Sequence, residues 1–119
     1  MPALESATGD LVTETPAICQ YVAATGLAAY LLGESPQEMA AVDQWCTFLR
    51  SKTLPLTLTL AGAVYGTVEM SPDEHAFITN ELKENLKIIN NQLKAKQYFC
   101  GTEQPTIADY LFVLSVAEL

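Results

Sequence analysis

An acid followed by a hydroxyl residue at the start of a helix is the most suggestive chemistry in this chain. Glu14-Thr15-Pro16-Ala17-Ile18 supplies that order. The carboxylate suits an ammonium group. The hydroxyl and the first free N–H groups of a helix suit a carboxylate, so the run could hold a small zwitterion. The same residues also make a plain cap, because Thr is a good N-cap and Pro fits the first helical turn. Read alone, the run is the cap. His75 stands beside Asp73 and Glu74, but adjacent residues on a helix do not face one another, and a catalytic or metal site needs convergent partners. The cysteines are Cys19, Cys46 and Cys100, without a CxxC pair. The helix dipole favours a thiolate at Cys19, yet no basic residue lies nearby in sequence, and three small core hydrophobes are the simpler reading. One His and three Cys make neither a zinc set nor a disulfide framework, so no metal and no cofactor is expected. Trp45 and Phe48 could form a stacking platform, but helical spacing makes Trp45 a core anchor. Lys83, Lys87, Lys94 and Lys96 read as a solvated helix face before they read as a docking patch.

Few of these residues can act unless a core positions them. The chain has 119 residues, enough for one hydrophobic core. Half are hydrophobic and 17% are charged, the reverse of a disordered composition. No apolar run approaches the ~20 residues of a membrane span. A net charge of −8 repels phosphate backbones and anionic membranes, which excludes nucleic acid and membrane as direct partners. The first ten residues carry acids and no Lys or Arg, unlike an export or mitochondrial leader. With unpaired thiols, this predicts a cytoplasmic protein.

Four capped helices can be read. One covers about 16–24 and stops at Gly26. Ser35-Pro36-Gln37-Glu38 is a capping box, and Met39, Val42, Trp45, Cys46 and Leu49 share one face of the helix that follows. Ser71-Pro72-Asp73-Glu74 repeats the device and opens a helix to about residue 96, with Ile78, Leu82, Leu86, Ile89 and Leu93 as its apolar stripe. Thr106-Ile107-Ala108-Asp109 is a further box, with Asp109 in the place usually taken by Glu. The helix it starts is apolar almost all round, which predicts burial on every side. It runs to Leu119 as if cut in mid-helix. Between 54 and 70, Leu54, Leu56, Leu58 and Leu60 alternate like a strand, while Pro55, Gly62 and Gly66 argue for a bent helix. Pattern alone leaves that stretch open. A lone strand has no sheet to join, so the fold class predicted is an all-α bundle.

Together these pieces resemble the glutathione S-transferase superfamily. LVTETPAICQYVA is similar to the end of its thioredoxin-like half, where the family has Glu-Ser-x-Ala-Ile. AVDQWCTFLRS is similar to the first helix of its helical domain, and Thr106 to Asp109 match the capping box of that domain's central helix. Within the superfamily the likeness is nearest to the gamma subunit family of translation elongation factor 1, through Trp45, Leu54-Pro55 and the run Gln97 to Gly101. The resemblance implies a remnant of the thioredoxin-like half at 1–26, a truncated C-terminal-like helical domain at 27–119, and a helical bend at 54–70.

The resemblance also shows departures. The family's thiolate-holding Tyr, Ser or Cys has no counterpart, nor have its cis-proline and the strand that hold the glutathione backbone. Glu14 and Thr15 match its gamma-glutamyl contact, with Thr in place of Ser. They are therefore expected to be vestigial glutathione-contact positions with no catalytic residue beside them. The expectation is a non-catalytic scaffold domain whose partners are other protein subunits, translation elongation factor or synthetase components first. A structural subunit of an assembly unrelated to translation and a glutathione-dependent transferase fragment are the alternatives.

Overall fold

The computed structural model describes residues 2–117. The all-α expectation needs one correction, a two-stranded antiparallel hairpin of β1 (Ala3–Glu5) and β2 (Leu11–Thr13), in which Leu4 pairs with Val12. Its turn is closed by polar side chains. Ser6 N–H donates to the Asp10 carbonyl (2.8 Å), Asp10 N–H to Ser6 Oγ (2.9 Å), and Thr8 Oγ1 to Asp10 Oδ2 (2.6 Å). Three-residue strands with only Leu4 and Val12 half-buried leave almost no alternation for a sequence reading to detect.

Helix α1 (Thr15–Thr25) follows directly. A 3-10 turn at Ala29–Leu32 leads to α2 (Pro36–Phe48), whose Ser35–Glu38 box is formed in both directions. Val42, Trp45 and Leu49 are buried and Cys46 is half-buried, but Met39 is 51% exposed and leaves the predicted face. It lies in the first turn, beyond the reach of the core.

The open stretch is helical over Leu54–Val64 and a turn and irregular backbone beyond it. A π turn over Leu49–Thr53 carries α2 without a break into α3 (Leu54–Val64). Pro55 explains it. In a continuous α-helix the proline ring collides with the carbonyl four residues back, and a widened turn relieves the clash. Leu54 N–H reaches back five residues to the Leu49 carbonyl, and the Lys52 carbonyl instead accepts from Asn85 Nδ2 (3.0 Å). The alternating leucines do not share a face. Thr57 and Ala61, four apart, are buried, and Leu58 is 53% exposed.

Helix α4 (Pro72–Leu93) starts from the Ser71–Glu74 box and buries Leu82 and Ile89 from its stripe. Helix α5 (Ile107–Val116) is not covered all round. Ala108 and Ser115 are buried, whereas Tyr110, Val113 and Leu114 are exposed. Residues 118 and 119, on which the expected run to Leu119 depends, lie outside the described residues.

The core joins α2, the π turn, α4 and α5 through Trp45, Leu49, Ile89, Phe99 and Ala108. Phe99 is 1% exposed, with ring centroids 5.0 Å from Trp45 and 5.4 Å from Phe112. Its backbone is held at both ends. Phe99 N–H donates to Asp109 Oδ1 (3.0 Å), and Gln92 Nε2 donates to its carbonyl (2.6 Å). The other Asp109 oxygen accepts from Thr106 N–H (2.8 Å) and Thr106 Oγ1 (2.9 Å). Replacing Asp109 with Ala should therefore cost about 3 kcal/mol, a lost cap plus backbone donors left unpaired beside the core. Urea denaturation will show it, and Asp109→Asn, which keeps one acceptor oxygen, should lose less than the alanine.

Candidate functional site

The junction between the hairpin and α1 places Glu14 and Thr15. Glu14 is the N-cap residue and Thr15 the first residue of the helix, so the assignment of Thr15 as N-cap shifts by one position. Neither side chain caps the helix, and Pro16 occupies the first turn. Glu14 adopts φ 70° and ψ 122°, in the left-handed half of conformational space that residues with a Cβ avoid. Such strain costs on the order of 1–3 kcal/mol and persists where the surroundings or a function demand it. Its carbonyl still takes the first helical bond, from Ile18 N–H (3.0 Å). Both side chains are exposed, leaving a carboxylate and a hydroxyl side by side at a helix N-terminus. That arrangement can take up an ammonium and a carboxylate from one small molecule.

The other candidates stay apart. His75 is exposed in the first turn of α4, where its N–H bonds the Ser71 carbonyl. Neighbouring Glu74 is engaged by Ser71, whose hydroxyl and N–H both donate to it and hold its carboxyl below the usual range. Burial pushes the Cys46 thiol up to about 11, with Cys100 and Asp43 adding to the effect. Burial also raises Cys100, although its contact with Thr106 Oγ1 (3.6 Å) opposes the rise. Both thiols are thus held protonated at neutral pH, away from the thiolate that catalysis would use. Trp45 sits in the core against Phe48 and Phe99, not on a platform. Lys87 pairs with Glu84 on the outer face of α4. Among the described residues no group of three His, Cys, Asp or Glu side chains could hold a metal ion.

The link from Asp109 to Phe99 escaped the sequence reading. The capping box was legible in Thr106 to Asp109, but nothing in that spacing says that the second carboxylate oxygen reaches a backbone N–H ten residues upstream.

No family model matches the chain. Elongation factor 1-gamma of Artemia salina is 30% identical over 119 residues, which is 100% of this chain and 26% of that protein. Glutathione S-transferase stcT of Emericella nidulans is 30% identical over 118 residues, 99% of this chain and 52% of that protein. The solved structure of a glutathione S-transferase from Pichia kudriavzevii aligns with a TM-score of 0.82 at 23% identity, covering 99% of this chain and 57% of that one. This last likeness is one of fold. The chain spans about a quarter of the first protein and about half of the other two. The resemblance to the glutathione S-transferase superfamily read from the sequence is borne out by relatives and by fold. The structural match takes in 99% of the chain. The described residues contain no cis peptide bond.

The raised Cys46 thiol has two measurable consequences. Iodoacetamide should alkylate Cys46 at neutral pH roughly a hundredfold more slowly in the folded chain than in guanidinium, because the thiolate fraction falls tenfold per pH unit. The stability that Cys46 contributes should be intact below about pH 9 and lost as pH rises through about 11, because the folded state holds the proton more tightly. Denaturation of the parent and of Cys46→Ala across that range isolates the effect.

Proposed function

We propose that this chain is a non-catalytic protein-interaction domain of a multisubunit translation assembly, in the manner of elongation factor 1-gamma. The observation that carries the reading is the match to elongation factor 1-gamma over every residue of the chain. Physical features favour it. The two core-lining thiols are held protonated, and Glu14 and Thr15 are exposed side chains at a helix start. A site that binds without positioning reacting groups supplies little catalysis. In this reading, residues 1–26 end a thioredoxin-like half, 27–119 form the helical domain, the partners are elongation-factor or synthetase subunits, and the compartment is the cytoplasm. Affinity purification of the chain from its own cells should recover such subunits in stoichiometric amounts. Recovery of a different assembly, or of the chain alone, overturns the translation role.

A second reading is favoured by one specific observation, the strained and uncapped Glu14. A vestigial gamma-glutamyl contact accounts for both its φ of 70° and its free carboxylate. Titration calorimetry with glutathione should then give weak binding that Glu14→Ala abolishes. Glu14→Gly should stabilise the fold by about 1 kcal/mol, since glycine adopts positive φ without penalty, while also losing the ligand. Absence of heat at millimolar glutathione removes this reading.

A further inference from the structure

The segment from Thr53 to Leu82 contains four acids, Glu69, Asp73, Glu74 and Glu81, and no Lys or Arg. It therefore carries −4 of the chain's net −8. The fold gathers three of these acids around an apolar groove. The chain leaves α3 through a turn in which one carbonyl does most of the holding. Gly62 O accepts from Thr67 N–H (2.8 Å), Val68 N–H (3.1 Å) and Thr67 Oγ1 (3.1 Å). This lays Val68 onto α3 so closely that a Cβ at Gly62 would sit 2.8 Å from Val68 Cγ2. Between the turn and the first turns of α4 lies a groove of about 480 Å³, lined by Val68, Met70 and Phe77 and by the acids Glu69, Asp73 and Glu74. Phe77 is 66% exposed and Val68 39% exposed, although both are large apolar side chains.

Helix architecture explains only part of this. Asp73 and Glu74 offset the dipole of α4, and Glu74 completes its capping box. Glu69 precedes the helix and has no such role. Among the described residues the salt bridge is Lys87–Glu84, so no Lys or Arg of the chain neutralises the three acids. An exposed Phe in a groove with unneutralised acids is complementary to one chemistry, apolar side chains flanked by cations.

We propose that this groove is a docking site for a short amphipathic helix of a partner protein, carrying Lys or Arg beside two or three large apolar side chains. The apolar residues cover Phe77, Val68 and Met70, and the cations meet Glu69 and Asp73. The pinned turn presents the wall already formed, which lowers the ordering cost of binding. The assignment does not depend on the translation reading, because it concerns a surface and not the assembly's identity.

The probe is a synthetic leucine–lysine amphipathic helix of about 15 residues, titrated into the isotope-labelled 119-residue chain and followed by amide NMR shifts. Saturable shifts centred on 68–78 are expected. Phe77→Ala should weaken binding about tenfold. Glu69→Gln with Asp73→Asn should weaken it several-fold at low salt and less at high salt. Glu34→Gln with Glu103→Gln, on the separate polar groove beside Tyr30, should leave affinity unchanged. Shifts centred on α1 or α5, equal weakening by the Glu34 and Glu103 pair, or a failure to saturate overturns the proposal.

Discussion

The Asp109 carboxylate is the interaction on which the remaining packing depends. One oxygen secures the start of α5 through Thr106, and the other secures the backbone of Phe99. A carboxylate that accepts from backbone donors on two segments fixes their separation and orientation together. Phe99 can then fill the space between Trp45 and Phe112, and Trp45 brings α2 with it. Loosening that point would leave Phe99, the largest fully buried side chain among the described residues, without a fixed backbone.

The continuous rod of α2 and α3 is the second organising element, and it is built around a local fault. Pro55 would break a regular helix, and the π turn lets the helical hydrogen bonding resume beyond it. The fault leaves traces. Asn85 on α4 bonds the Lys52 carbonyl, and the buried Thr53 hydroxyl has no hydrogen-bond partner in the structure. A π turn is thus a joint between α2 and α4 as well as an accommodation of proline.

Helix starts were legible because capping is local chemistry. Ser35–Glu38, Ser71–Glu74 and Thr106–Asp109 each announce a helix within four residues, and each helix is present. Where three-dimensional context overrides local pattern, the pattern alone left the outcome open. Leu54 to Leu60 alternates as a strand does, yet the rod imposed by α2 makes it helix and buries Thr57 in place of Leu58. The hairpin was invisible because its strands are three residues long and its stability comes from the turn and from packing beside α1. At the candidate site, Glu14 and Thr15 were legible as residue types. The positive φ that separates a ligand-holding turn from a plain cap is a backbone property that composition does not record.

The double hold on Phe99 also bears on the order in which the chain assembles. Its partners Gln92 and Asp109 lie seven and ten residues away. Loops of that length close in about 10–100 ns, and their closure entropy is small. The end of α4, the loop and the start of α5 therefore form a unit that can come together from local encounters alone. Trp45, more than fifty residues upstream of Phe99, must cross a far larger loop to reach it. Loop closure thus weighs most on the contact that brings the tryptophan of α2 to Phe99 and least on the two bonds that hold the Phe99 backbone.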